Sequence, residues 1–407
     1  MKVLYVTGSC LTKNTSANMS HNGYVQGLLE NGAEVDIIMA QNSWGEADPA
    51  FSQWEKAKYY VFQSVSLKDR IRKAGRKGFQ PAAAPTAKEP IKTGTARKKK
   101  INLRRIAKTV FYKLFPNDPL YPLEEKWLKT ASRFKGQTVY DLVISNSSPA
   151  ASHKLVSVLK RKKAIQYKQW IQIWEDPWYY DLYGGHTEAQ KKEEHALLRD
   201  ADKIFYVSPL TLMYQKQYFS DCSNKMSFIP LPAFEFSNEN ASSWHENSFG
   251  YFGDYYSQTR NLEPFYEAAC RKNVETYIIG DTNLNLKSNE KIHVMPRITL
   301  DELSGYQSQT QVLVNLCNLR GGQIPGKIYH YSVTRHPILF IMDGTEEEKK
   351  QIYSYFSKLD RYVFCENTVE SICEAIETIQ SNNRKEESPA ECFYPKNIIK
   401  NLLKETI

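Results

Sequence analysis

The sequence predicts an α/β protein of two successive domains, each a parallel β-sheet covered by helices on both faces. Three observations predict it. Apolar runs of strand length alternate with helix-length segments along the chain, which is the pattern of β-α-β units. The 407 residues, 41% of them hydrophobic, suffice for more than one core. Between Ile229 and Phe249, two prolines and a polar run of Ser, Asn and Glu interrupt the alternation, which then begins again.

Each element follows in order. The opening MKVLYVTG reads as a buried strand ending in a Gly turn; Asn22 to Leu29 reads as helix, Gly32 as its stop, and Val35 to Ile38 as the next strand. The turn Thr7-Gly8-Ser9-Cys10 lacks the G-x-G-x-x-G spacing of a dinucleotide site, which disfavours a nicotinamide or flavin enzyme. Residues 74–97, rich in Gly, Pro, Ala, Thr and Lys, read as a mobile excursion. Leu103, Ile106, Val110, Phe111, Leu114 and Phe115 then recur at helical spacing beside Arg104, Arg105 and Lys108, a basic amphipathic helix stopped by Pro116. Strands are expected at 140–145, 170–173 and 203–207, with helices at 150–162 and 188–198 between them. The second round has strands at 249–253, 276–280, 312–316 and 337–341.

Charge is unevenly placed. Residues 68 to 113 hold 16 Lys/Arg against Asp69 and Glu89, a net of +14, so with a chain total of +9 the remainder sums to −5. A concentrated positive field favours a polyanionic partner, and with the amphipathic helix it suggests reversible attachment of 68–115 to an anionic membrane. The same apolar face could equally pack on the first sheet. No nucleic-acid motif accompanies the charge. The seven cysteines are scattered without a C-x-x-C pair, which points to a reducing cytoplasm and away from a structural zinc site. No apolar stretch nears bilayer length.

Chemistry concentrates in Leu319 to Val333, where a Gly-rich loop follows a strand and leads into a helix. Backbone amides there suit a phosphate. Gly321 to Lys327 also has G-x-x-x-x-G-K spacing, but Ile328 cannot ligate magnesium and Pro325 removes a cradle N–H, so a nucleotidase loop is rejected. A plain structural loop fits the composition equally well.

Ile324-Pro325-Gly326-Lys327-Ile328-Tyr329-His330-Tyr331, followed by Arg335-His336-Pro337-Ile338-Leu339, resembles the P-[SG]-K-[LI]-[YF]-E-Y…G-[KR]-P-[IV]-L signature of GT-B glycosyltransferases of the family 4 type. Phe249 to Gly253 with Arg260-Asn261-Leu262, and Ile278-Ile279-Gly280-Asp281, are similar to the start of that family's donor domain. Asp141 to Pro149, Trp174-Glu175-Asp176-Pro177-Trp178 and Ala201 to Ser208 are similar to its acceptor domain. The resemblance implies a GT-B architecture, two Rossmann-like domains facing a cleft: an acceptor-side domain over 1–235, a nucleotide-sugar domain over 236–390, and a terminal helix in 391–407 packing back on the first.

It also implies an enzyme that moves a sugar from a UDP- or GDP-sugar to a glycan or lipid-linked acceptor, with retention, in surface polysaccharide synthesis, without cofactor or metal. Donor contacts would fall to Arg260, Gly322, Gly326, Lys327, His330, Gly253 and Gly280. Asp176 or Glu175 would supply acid/base or acceptor contacts, and Gly8 and Ser9 would line the opposite wall. Two positions depart from the pattern: His330 stands where Glu is usual and Glu175 where Arg is usual. An imidazole of ordinary pKa, about 6.5, would make donor binding fall below that pH.

Structural roles compete at each position. Asp200-Ala201-Asp202 reads as part of a strand entry, and His186 and His195 have no Cys or His at ligand spacing. A degenerate GT-B glycan-binding or scaffold protein, and a sugar-nucleotide 2-epimerase, remain the alternative functions.

Overall fold

The computed structural model describes residues 1–13, 15–41, 53–65, 118–182, 186–234, 244–382 and 386–406. The basic stretch 68–113 and the amphipathic helix through Phe115 lie outside them.

Among the described residues, thirteen strands form two all-parallel sheets. The first contains β1 (Lys2–Val6), β2 (Glu34–Ala40), β3 (Ala57–Phe62), β4 (Val139–Ser147), β5 (Gln166–Trp174), β6 (Lys203–Tyr206) and β7 (Met226–Phe228), in the order β3-β2-β1-β4-β5-β6-β7. The second contains β8 (His245–Phe252), β9 (Glu275–Ile279), β10 (Ile292–Met295), β11 (Thr310–Leu316), β12 (Ile338–Met342) and β13 (Tyr362–Glu366), in the order β10-β9-β8-β11-β12-β13.

Period-2 alternation sends each strand's residues to opposite faces. Leu4 and Val6 join the core under the helices Glu125–Ala131 and Ala151–Arg161, whereas Val3 and Tyr5 face the helix Ser16–Glu30. Burial on both faces is why the central strands read as uninterrupted apolar runs.

Strand order reverses between β1 and β4 in one sheet and between β8 and β11 in the other. Such switch points open a crevice at the carboxyl ends of the strands. Gly8 ends β1 there, and a Cβ on it would stand 2.7 Å from Pro149 Cγ beyond β4. The missing side chain lets the two strand ends converge.

The chain crosses between domains twice, after β7 and again near residue 390, where Ala233 N–H donates to the Phe393 carbonyl at 2.9 Å. The last helix, Pro395–Thr406, returns to the first domain and buries Ile398, Ile399 and Leu402 against it. Contact is so close that a Cβ on Gly27 would lie 2.2 Å from the Pro395 carbonyl oxygen. Gly27→Ala would gain about 1 kcal/mol of helix propensity but overpack a backbone contact, which costs about 1–3 kcal/mol or more. Net destabilisation is expected, with earlier proteolytic release of the terminal helix; an unchanged melting temperature would show that the contact yields freely.

Candidate active site

The site assembles where β8 and β11 end. Lys327, first residue of the short helix Lys327–Ser332, turns its ammonium back to donate to the Phe252 carbonyl at the end of β8. Arg260 reaches the same strand end: its Nε donates to Asn318 Oδ1 at 2.8 Å and one terminal nitrogen to the Asp254 carbonyl at 3.3 Å. Asn318 is itself fixed by donating to the Gln323 carbonyl at 2.9 Å. Two cations thus share one strand end, held by backbone carbonyls and an amide rather than by carboxylates of their own.

Lys327 is exposed as a residue, yet protein atoms crowd around its ammonium and displace part of its water. That desolvation, then the Arg260 charge, pulls its ammonium down to about 8 from the usual 10.5. A diphosphate would reverse the shift by supplying the missing negative charge. Affinity for UDP or GDP should therefore be nearly full below about pH 7 and fall about 30-fold as pH rises to 9.5. Calorimetric titration across that range checks it; a flat profile would place the diphosphate away from Lys327.

The two glycines of the strand ends act through shape. The N–H of Gly253 donates to Ile279 at 2.9 Å and that of Gly280 to Met295 at 3.1 Å. Both amides are thus engaged within the sheet. A Cβ on Gly280 would sit 2.0 Å from the Gly253 carbonyl oxygen, whereas one on Gly253 would touch Lys327 Nζ at 3.4 Å. Gly280 lets β9 close on β8, and Gly253 leaves room beside the ammonium.

His330 also differs from expectation. Burial, reinforced by Lys327, lowers its imidazole to about 4, and Nδ1 is sealed without a partner among the described residues. It is neutral at physiological pH, so no binding transition is expected near 6.5.

The Gly-rich loop spans the cleft. Gly321 adopts φ +92°, a left-handed conformation suited to glycine. The Gly322 carbonyl accepts from Ser208 Oγ at 3.0 Å and from Thr211 Oγ1 at 2.5 Å on the first domain. Cβ atoms on Gly322 and Gly326 would press on Tyr214 and Leu231 at 3.1 Å each. These glycines therefore permit domain docking, and the helix after them has only six residues. Positive charge here comes mainly from side chains, not from a long helix dipole.

On the first domain's wall, Ser9 Oγ donates to the Ser148 carbonyl at 3.0 Å and Gly8 N–H to Ser152 Oγ at 3.0 Å. Beyond β5, Asp176 accepts from Gln323 Nε2 at 2.5 Å, and Leu182 N–H donates to Gln323 Oε1 at 3.1 Å. Burial raises both acids, with Asp176 adding to the effect at Glu175 and Asp181 to that at Asp176. Asp176 and Glu175 thus lie against the cleft, but Asp176 is already engaged across it.

Two residues escaped the sequence reading. Arg297, just beyond β10, pairs with Asp254 and lies 3.6 Å from Asp281, adding a third cation to the rim. Its only sequence signal is a charge immediately after a strand. Gln323 carries no charge at all and is revealed by contact alone. Asp200 and Asp202 are structural: Asp202 accepts from Trp170 N–H at 2.7 Å and Asp200 from Ser157 Oγ at 2.6 Å. His195 does gain partners in space, since its Nε2 lies 2.9 Å from Asp221 with Cys222 in the same 4.8 Å group. Spacing along the chain did not show this cluster, whose three side chains could hold a metal ion.

No family model and no curated protein sequence matches the chain. Solved structures do. Sucrose-phosphate synthase from Thermosynechococcus elongatus is 11% identical and superposes over 99% of this chain and 94% of its own, with a TM-score of 0.52. Anabaena HepE in complex with UDP is 11% identical over 100% and 95% of the two chains, TM-score 0.49. UDP-GlcNAc 2-epimerase from Methanocaldococcus jannaschii is 11% identical over 99% and 100%, TM-score 0.47. Two parallel-sheet domains facing a cleft, with the synthase as a full-length counterpart, define the GT-B fold.

Proposed function

We propose that the protein is a glycosyltransferase that moves a sugar from a nucleoside-diphosphate sugar to a glycan or lipid-linked acceptor. The observation that carries this reading is the pairing of Lys327 and Arg260 at one strand end facing the cleft. Departure of a nucleoside diphosphate develops negative charge, and preorganised cations stabilise it without metal. The motif from Ile324 to Tyr331 supports a relationship to family 4, hence retention of configuration and a role in surface polysaccharide synthesis. The neighbours' UDP-bound forms make UDP the first nucleotide to test, with GDP second. Peripheral attachment through the basic segment 68–115 is the proposed route to a lipid-linked acceptor.

Thermal shift with UDP, GDP and their sugars selects the donor, since a ligand at about 100 times its Kd stabilises by about 2.7 kcal/mol. Incubating the selected donor with glycan and lipid-linked acceptors should then release the nucleotide with one equivalent of glycosylated product. A nucleotide sugar recovered as its 2-epimer would replace transfer by epimerisation; binding with neither product would mark a degenerate binding protein.

A further inference from the structure

Ligand-type side chains also converge at the other end of the first sheet. The turn Ser220–Lys225 leads into the first residue of β7, and the helix Glu188–Asp200 ends just before β6, so the two elements meet at the amino-terminal ends of the strands, opposite the crevice. His195 from the helix, with Asp221 and Cys222 from the turn, brings an imidazole nitrogen, a carboxylate oxygen and a sulfur within 4.8 Å of one another.

The frame around them is fixed. Lys225 Nζ donates to the carbonyls of Arg199 and Ala201 at 2.8 Å each, which ties the turn to the end of the helix. Cys222 N–H donates to the Phe219 carbonyl at 2.9 Å, and the His195 ring packs over the Phe219 ring at 5.4 Å between centroids. Cys222 is buried as a free thiol, whereas the Asp221 side chain is half in solvent. Packing therefore holds the sulfur, and the carboxylate can adjust.

An ion pair accounts for only part of this geometry. Both Asp221 oxygens lie 2.9 Å from His195 Nε2, and a single N–H cannot point at both. Nor does an ion pair call on the sulfur. In a tetrahedral zinc site, bonds of about 2.0–2.1 Å to nitrogen and oxygen and about 2.3 Å to sulfur set neighbouring donors about 3.3–3.6 Å apart. Here the donors stand between 2.9 Å and at most 4.8 Å apart. A shift of about 1 Å, taken up mainly by the exposed carboxylate, brings them to that spacing.

We propose that His195, Asp221 and Cys222 form a zinc site, with water as the fourth ligand, that fastens the turn before edge strand β7 to the helix Glu188–Asp200. Imidazole, carboxylate and thiolate together suit zinc, whereas magnesium and calcium take oxygen donors. The metal takes Cys222 as the thiolate, so the thiol proton passes to solvent as the sulfur–metal bond forms. Its place at the far end of the sheet gives the ion a structural role and makes it independent of the nucleotide site proposed above.

Cobalt(II), which takes the same ligands and absorbs light, tests each part. Added to the chelator-treated full-length chain, it should give a thiolate-to-cobalt charge-transfer band in the near ultraviolet together with tetrahedral d–d absorption, and zinc should displace it. Cys222→Ser should abolish the charge-transfer band. His195→Ala and Asp221→Ala should each weaken cobalt binding by about 100-fold or more, since a direct ligand counts for at least as much as the 10- to 100-fold of an outer-shell partner. Zinc should raise the melting temperature of wild type and leave that of Asp221→Ala unmoved, while magnesium moves neither. Asp221 is exposed, so its replacement decides the matter even where Cys222→Ser fails to fold. No charge-transfer band at millimolar cobalt, a band that survives Cys222→Ser through another cysteine, or equal affinity in wild type and Asp221→Ala overturns the proposal and leaves a His–Asp ion pair.

Discussion

Lys327→Ala and Arg260→Ala should each weaken binding of UDP or GDP by about 10- to 150-fold, the worth of one charge-assisted hydrogen bond of about 1.5–3 kcal/mol. Arg260 is preorganised by Asn318 and the Asp254 carbonyl, so little ordering entropy is lost when a phosphate arrives. Lys327 is different, being held in an environment that resists its charge. With its folded value lowered to about 8 against 10.5, the charge opposes folding, an effect that solvent screening at this exposed residue keeps small. Lys327→Ala should therefore keep or raise the melting temperature at pH 7 while losing nucleotide affinity. Wild-type affinity in both variants, measured by calorimetry, would remove the diphosphate from this strand end.

Arg361→Met should lower stability by about 3 kcal/mol or more, read as the denaturant midpoint. Arg361 is only 2% exposed, and its guanidinium donates to the carbonyls of Ser332, Ser388 at 2.9 Å, and Thr334 and His336 at 3.1 Å each. Methionine fills similar space but leaves buried acceptors without donors. Those carbonyls lie at the end of the Lys327–Ser332 helix and on the segment that leads back toward the first domain. Nucleotide affinity should fall along with stability. A loss below about 0.5 kcal/mol, the range of an ordinary surface change, would show that other donors replace the guanidinium.

The strands legible in the sequence are the central ones: β1, β2, β4, β5 and β6, and β8, β9, β11 and β12. Those that passed unread, β3, β7, β10 and β13, are the four sheet edges. An edge strand has neighbours on one side and is half exposed, as in Ala57–Phe62 and Ile292–Met295, so it lacks a continuous apolar run. The two candidate cations were legible where charge met a motif, and the structure brings Arg260 and Lys327 to one strand end. Contacts between distant parts of the chain were illegible. Gln323 and Asp176 are 147 residues apart, and nothing local marks either for the other. His330 was visible as a departure, but its neutrality follows from burial that composition does not show.

The double crossing of the chain restricts how the cleft can open. Two covalent connections between bodies permit rotation about the line joining them and oppose sliding and free twist. A swing about that line would break the bonds that cross the cleft, among them Gly322 to Ser208 and Thr211, Gln323 to Asp176 and Leu182, Tyr214 to Glu348 at 3.0 Å and Tyr329 to Val207 at 2.8 Å. All lie across the cleft and none belongs to either sheet. The loop that carries the Lys327 ammonium is thus also a latch between the two domains.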